Sequence, residues 1–316
     1  MQRRSFLLAL GALAAGCVRK EGVPGVLRLG FLARLTDVPI MTALESGRLA
    51  AALPHLRLEI RGFRSGPRVT EALLGGAIDV GTSGPAPIIA THVRHADAPL
   101  AIVSGLCSGG ASFVTLPSVR GPSDLRNRVV ATPQLASTLD VSLRKWLRRQ
   151  GLRPTDEGGD VKVEALSPAN VFSELARGEL AGAWLQEPWA SRVVLELGAK
   201  RLDERTLWPG GRFPSGLVVA RRDFLRARPD DVAKVVATLG GELDRTADPI
   251  ATRAAASRGL RLHGGQKLSD RLLGEALAYV EFTRDPLPVA LATFAADVAS
   301  LGYAPSSSIA GLVHVS

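Results

Sequence analysis

The chain has 316 residues, 46% hydrophobic and 22% charged, with no low-complexity tract and no solenoid-period repeat. That length supports two lobes with separate cores and excludes a disordered or fibrous chain. The net charge of +9 comes mostly from scattered arginines, and no basic run is interleaved with the 5% of aromatics, so nucleic-acid binding is not expected.

Residues 1–17, MQRRSFLLALGALAAGC, begin with Arg3-Arg4 and continue through an apolar stretch. It is shorter than the roughly 20 residues a stable bilayer span requires, and the pattern is that of a signal peptide over 1–16. Arg3-Arg4-Ser5-Phe6-Leu7 resembles a twin-arginine export signal, and Ala14-Ala15-Gly16-Cys17 resembles the lipobox of bacterial lipoproteins. These resemblances imply cleavage before Cys17, lipidation of Cys17 and an extracytoplasmic (periplasmic) domain anchored to a membrane. Removing Arg3 and Arg4 lowers the net charge to +7, and residues 17–25 become a polar lipidated tether. Cys107 is the other cysteine; after apolar Ala101-Ile102-Val103 it reads as a buried structural thiol.

Val26 to Leu32 alternates as a strand. Asp37 is placed to cap one helix running through Ile40, Leu44 and Leu49, and Leu56 to Ile60 alternates again. Ser65-Gly66-Pro67 opens a helix through Val69, Leu73 and Leu74; a strand at 78–81, a helix over Pro85 to Val93 and a strand at 100–104 follow. Asp79 sits in that strand region and needs a partner or water. Gly105 to Ser112 reads as a linker or hinge. Strands at 113–115, 128–131, 161–163 and 181–185 then alternate with a one-turn helix at Asp124-Leu125 and longer helices after Thr138, over Asn170 to Arg177, and up to Leu197. Trp208 to Ser215 is a second break. A returning strand over 216–220 precedes helices at 229–245, 249–258, 269–278 and 286–301. Strand–helix alternation argues an α/β fold with mostly parallel sheets. The two breaks divide it into lobe I (26–107 and 213–316) and an inserted lobe II (108–212), with a ligand cleft between hinged lobes.

Several pieces together resemble the extracytoplasmic solute-binding proteins of ABC importers, in the branch of aliphatic-sulfonate, taurine, nitrate and thiamine-precursor binders. They are Gly75-Gly76-Ala77-Ile78-Asp79-Val80-Gly81, Gly84-Pro85-Ala86-Pro87, Asp124 to Ala131 with Ser137-Thr138, Gly178 to Trp184 with Glu187-Pro188-Trp189, and Phe213-Pro214-Ser215. The resemblance runs from about Arg28 to about Leu301. It implies a two-lobed type II periplasmic binding protein fold that captures a small anionic or zwitterionic solute. It further implies a membrane permease and its ATPase subunit as partners, and a monomer. Thiamine-precursor binding or biosynthesis, or a sensory lipoprotein on the same fold, are the alternatives.

The candidate ligand contacts follow strand ends or open helices, where backbone N–H groups and the positive dipole end favour anions. They are Arg34, Thr36 and Asp37 after the first strand, Arg64 and Ser65 after the second, and Thr82, Ser83 and Gly84 after the third. The second-lobe candidates are Ala136, Ser137, Thr138, Trp184 and Glu187, and Ser215 stands at the returning strand. Arg34 or Arg64 can fork onto an oxyanion. Trp184 is expected to wall the pocket, Trp189 to pack within its lobe, and Glu187 either to meet a cationic group or to pair with an arginine. His92 and His95 read as surface residues, because no further ligand completes a metal site. No GxSxG, HExxH, Walker or dinucleotide fingerprint is present. No enzyme activity, cofactor or metal is therefore expected.

Overall fold

The computed structural model describes residues 25–95 and 97–314. The signal peptide expected over 1–16, Cys17 and the expected tether up to residue 24 lie outside the described residues. The first lobe begins with β1 (Val26–Leu32), α1 (Val38–Glu45), α2 (Arg48–Ala52), β2 (Arg57–Phe63), α3 (Gly66–Leu74), β3 (Val80–Ser83), α4 (Pro85–Arg94) and β4 (Leu100–Gly109). The second lobe contains β5 (Ala111–Thr115), β6 (Val129–Thr132), α5 (Thr138–Arg149), β7 (Lys162–Ala165), α6 (Pro168–Arg177), β8 (Gly182–Gln186), α7 (Trp189–Leu197) and β9 (Lys200–Asp203). The chain returns through β10 (Pro214–Arg221), α8 (Arg222–Ala227), α9 (Pro229–Arg245), α10 (Pro249–Gly264), α11 (Asp270–Leu277), β11 (Val280–Phe282) and α12 (Pro288–Ser300).

The first sheet has the order β11-β4-β10-β3-β1-β2 and the second β7-β6-β8-β5-β9. Both sheets are mixed rather than mostly parallel as expected: β1 pairs in parallel with β2 and β3, and β6 with β7 and β8, whereas the crossing and returning strands β4, β5 and β10 pair antiparallel with their neighbours. Helices cover both faces of the first sheet, so every residue of β1 is buried, Arg28 included. Arg28 donates from Nε to Asp79 Oδ2 at 2.9 Å and from Nη2 to Oδ1 at 2.6 Å. This fork supplies the partner that Asp79 needs. Leu27, Leu29 and Phe31 help form one core, while Trp208, Phe213 and Phe294 cluster in another.

The expected linker at 105–112 is mostly strand. β4 runs to Gly109 and β5 starts at Ala111, so the turn between lobes is confined to Gly109-Gly110, with φ of +75° and +73°. A Cβ on Gly109 would also lie 2.6 Å from Arg205 Cδ and 2.7 Å from the Tyr279 carbonyl oxygen. Both backbone shape and space therefore demand glycine there. The second crossing uses short 3-10 turns between Glu204 and Gly211.

The single helix expected through Leu49 is broken at Ser46-Gly47, where Gly47 has a φ of +71°. Asp37 precedes α1 but its carboxylate makes no cap bond, because other buried donors claim it. Strands β9 and β11 were not expected. β9 is an edge strand reading Lys-Arg-Leu-Asp, and β11 spans only three residues.

Candidate functional site

The carboxyl ends of the parallel strands of both sheets face one open cleft of about 1120 Å³. Five helices begin at its walls. α3 contributes Ser65 to Pro67, α4 Gly84, α5 Ser137 and Thr138, α6 Ser167 and Pro168, and α7 Pro188 and Trp189. Each is nine residues or longer and presents its partial positive end there; α3, α5, α6 and α7 also bring first-turn N–H groups, whereas α4 begins Pro85-Ala86-Pro87 and its Ala86 N–H is taken by Thr138. Three first turns are partly satisfied locally. Ser137 Oγ accepts from the Asp140 N–H, Ser167 Oγ from the Asn170 N–H, and Glu187 Oε2 from the Ser191 N–H. Ser65 provides no such side-chain cap, leaving α3 more open, whereas the Ala86 N–H of α4 is satisfied across the cleft by Thr138.

Eight of the sequence-derived candidates line the cleft: Arg34, Arg64, Ser65, Gly84, Ser137, Thr138, Glu187 and Ser215. Arg34 spans it, donating from Nη1 to Gln186 Oε1 at 2.8 Å while Nε holds Asp37 Oδ2 at 3.1 Å. Arg64 is exposed and has no hydrogen bond or ion pair among the described residues. Thr138 also reaches across: its hydroxyl oxygen accepts from the Ala86 N–H at 3.2 Å. Ser215 Oγ lies 3.2 Å from Cys107 Sγ, and burial pushes the Cys107 thiol up to about 12.

The other six sit off the wall. Asp37 is buried and accepts from the Leu32 N–H at 3.2 Å, the Thr36 hydroxyl at 2.9 Å, the Thr82 hydroxyl and Arg34. Thr36, Asp37 and Thr82 therefore form a support beneath Arg34 and do not line the cleft. Ser83 is fully buried under the first turn of α3, its Oγ without a partner and only 2.7 Å from where a Cβ on Gly66 would stand. Ala136 is exposed with a φ of +56°, and its N–H donates to Asp140 Oδ2 at 2.9 Å; it shapes the turn before α5. Trp184 is corrected from pocket wall to core. It lies opposite Phe113 in the β5–β8 ladder and stacks on it at 5.7 Å, mid-strand and away from the strand end.

Trp189 does reach the wall, at the start of α7, while also packing against its lobe. Sequence reading also missed Phe63, Ser167, Pro168, Gln186 and Gln266. Ser167-Pro168 carried a usable signal, a cap residue followed by proline at the first helical position. Glutamines at strand and helix ends carry none.

Glu187 is buried, and its Oε1 accepts from Arg201 Nη1 at 2.8 Å. Burial pushes this carboxyl up and the Arg201 guanidinium opposes that. Glu204 is fully buried beside the crossing: Ser142 donates to its Oε1, with the Trp184 indole nitrogen near the carboxyl but short of hydrogen-bond geometry. Burial pushes Glu204 up to about 8. His92 is half-buried, with Nε2 3.1 Å from the Ala310 oxygen, whereas His95 is exposed as expected. Among the described residues, no group of three or more His, Cys, Asp or Glu side chains is arranged to hold a metal ion.

Two lobes built on separate sheets, crossed twice by the chain and closing on a cleft of helix starts, define a periplasmic binding protein fold. The alkanesulfonate-binding protein SsuA from Xanthomonas axonopodis pv. citri, bound to MOPS, superposes with a TM-score of 0.75 at 22% identity, covering 94% of this chain and 100% of that one. The chain belongs to the NMT1-like family, whose profile matches residues 22–258. It is 26% identical over 214 residues to the taurine-binding periplasmic protein of Escherichia coli K12, covering 65% of this chain and 64% of that protein. It is also 26% identical over 204 residues to the putative aliphatic sulfonates-binding protein of the same strain, covering 63% and 61%. The matched region thus spans less than two thirds of each of these relatives.

Proposed function

We propose that this chain is the solute-binding component of an ABC importer. It captures a small sulfonate-class anion in the cleft and delivers it to a membrane permease driven by a separate ATPase subunit. The observation that carries this reading is the convergence of five helix starts on one cleft that also holds Arg34 and the unpaired Arg64. A sulfonate is a permanent anion with three acceptor oxygens, which suits donors arriving from several directions. Its headgroup belongs at the uncapped first turn of α3, between Arg64 and Ser65 and above the buried, unpartnered Ser83 hydroxyl. Similarity to taurine-binding and sulfonates-binding proteins supports the same reading.

The Thr138–Ala86 and Arg34–Gln186 contacts join the lobes around the cleft. A ligand that bridges them stabilises the closed form through its higher affinity for that form. The protein acts by binding, as a monomer, on the extracytoplasmic side, and it is held to the membrane by lipid on Cys17. Calorimetric titration with ethanesulfonate tests the central reading. Binding at micromolar concentration is expected, weakened about tenfold or more by Arg64→Ala through loss of a charge-assisted bond worth about 1.5–3 kcal/mol. An absence of heat with any sulfonate refutes it.

A further inference from the structure

The relatives named above are described as binding either taurine or aliphatic sulfonates, and these solutes differ in whether an ammonium group accompanies the anion. Taking the sulfonate reading as given, the geometry points to a narrower solute. We infer that the cleft selects a sulfonate with a bulky uncharged substituent, aromatic or cyclic, and discriminates against one that carries an ammonium group.

An ammonium needs a carboxylate or other free acceptor once it leaves water. Only two acidic residues, Glu71 and Glu187, line the cleft among the described residues. Glu71 is exposed, and its Oε2 accepts from Arg68 Nη1 at 3.0 Å, another wall residue. Glu187 is turned into the second lobe, where Arg201 and the Ser191 N–H take its two oxygens. Arg201 is itself fixed: Nη2 donates to Ser191 Oγ at 2.8 Å, and its guanidinium lies 3.7 Å from the Tyr279 ring centroid. The nearby Asp37 is buried and saturated by donors from Leu32, Thr36, Thr82 and Arg34. Among the described wall residues the charge left unpaired is therefore that of Arg64, reinforced by positive helix ends, since Asp37 holds Arg34 and Glu71 holds Arg68. A cation on the solute is repelled there and gains no free carboxylate.

The remaining walls combine polar groups, among them Gln134, Ser167 and Gln266, with an apolar set. Phe63, Pro87, Leu139, Pro168 and Trp189 line the cleft from both lobes. Its open volume of about 1120 Å³ lies just above the usual range of sites for drug-sized ligands, far more than a two-carbon chain fills. Trp189 and Phe63 offer the stacking surfaces a ring would use.

Taurine and ethanesulfonate differ only by the amino group, so their ratio isolates the ammonium. In calorimetric titrations of the protein, ethanesulfonate is expected to bind at least tenfold more tightly than taurine, and benzenesulfonate more tightly than ethanesulfonate. Trp189→Ala is expected to weaken benzenesulfonate at least fivefold while leaving ethanesulfonate within twofold. The Trp189 variant tests the apolar wall independently of the ammonium. Taurine binding as tightly as ethanesulfonate overturns the inference while leaving the sulfonate reading intact. Failure of all three sulfonates overturns both.

Discussion

Gly84 sits where the two lobes meet, facing Thr138. Its φ of −79° and ψ of 166° suit any residue, so backbone strain does not explain the glycine. Space does: a Cβ there would lie 2.5 Å from Thr138 Oγ1 and 3.2 Å from Thr138 Cβ, against ordinary contacts of 3.4–4 Å. Gly84→Ala therefore wedges the lobes apart where the Ala86 N–H meets Thr138. Loss of that bond costs about 0.5–1.5 kcal/mol, and forced overpacking about 1–3 kcal/mol. The closed form is disfavoured by about 2–4 kcal/mol, which is a loss of roughly 30- to 1000-fold in affinity. Each lobe keeps its own core, so the melting temperature of the unliganded protein should hold. The assay is calorimetric titration of wild type, Gly84→Ala, Thr138→Ala and the double variant with one sulfonate. Because the nearest clash is with Thr138 Oγ1, the alanine penalty should shrink markedly in the Thr138→Ala background. Unchanged affinity in Gly84→Ala, or an equal penalty in both backgrounds, refutes the wedge.

Glu204 gives a pH signature. Its carboxyl is raised by burial from 4.5 to about 8, so the folded state holds a proton that the unfolded chain releases. Stability should fall as pH rises from about 4.5 to about 8, by up to about 5 kcal/mol, and Glu204→Gln should flatten the profile in denaturant titrations. Asp37→Asn should lower both stability and affinity. It removes the ion pair that positions Arg34 and sets an amide among buried donors, at about 1–3 kcal/mol for each one left unsatisfied, which thermal melts and titration will read. Tyr303 donates to Asp140 Oδ2 at 2.6 Å, tying the C-terminal segment to α5. Tyr303→Phe should cost about 1.5–3 kcal/mol in urea unfolding, with far-UV circular dichroism unchanged because Arg144 still holds Asp140.

The parts of the fold written locally were legible before the structure. β1 alternates, and Ser65-Gly66-Pro67 and Ser137-Thr138 carry helix-start chemistry that puts α3 and α5 at the cleft. What escaped depends on partners distant in sequence. Thr82 and Asp37 meet 45 positions apart, so reading each as a ligand contact missed that they satisfy one another. Trp184 and Trp189 look alike in sequence. The ladder partner Phe113 draws the first into the core, and the strand end leaves the second on the wall. β9 is charge-rich because it is an edge, so it lacks the apolar alternation that marks inner strands. Glu187 had two readings, a cation site or an arginine partner, and only the position of Arg201 decides for the second.

The central claim is that converging helix starts and two arginines bind a sulfonate inside the cleft. A crystal structure of the protein with benzenesulfonate tests it most directly. The account predicts sulfonate oxygens within hydrogen-bond distance of the first turn of α3 and of Arg64 or Arg34, with the ring against Trp189 or Phe63. An empty cleft at saturating benzenesulfonate, or a sulfonate held elsewhere on the molecule, would contradict it.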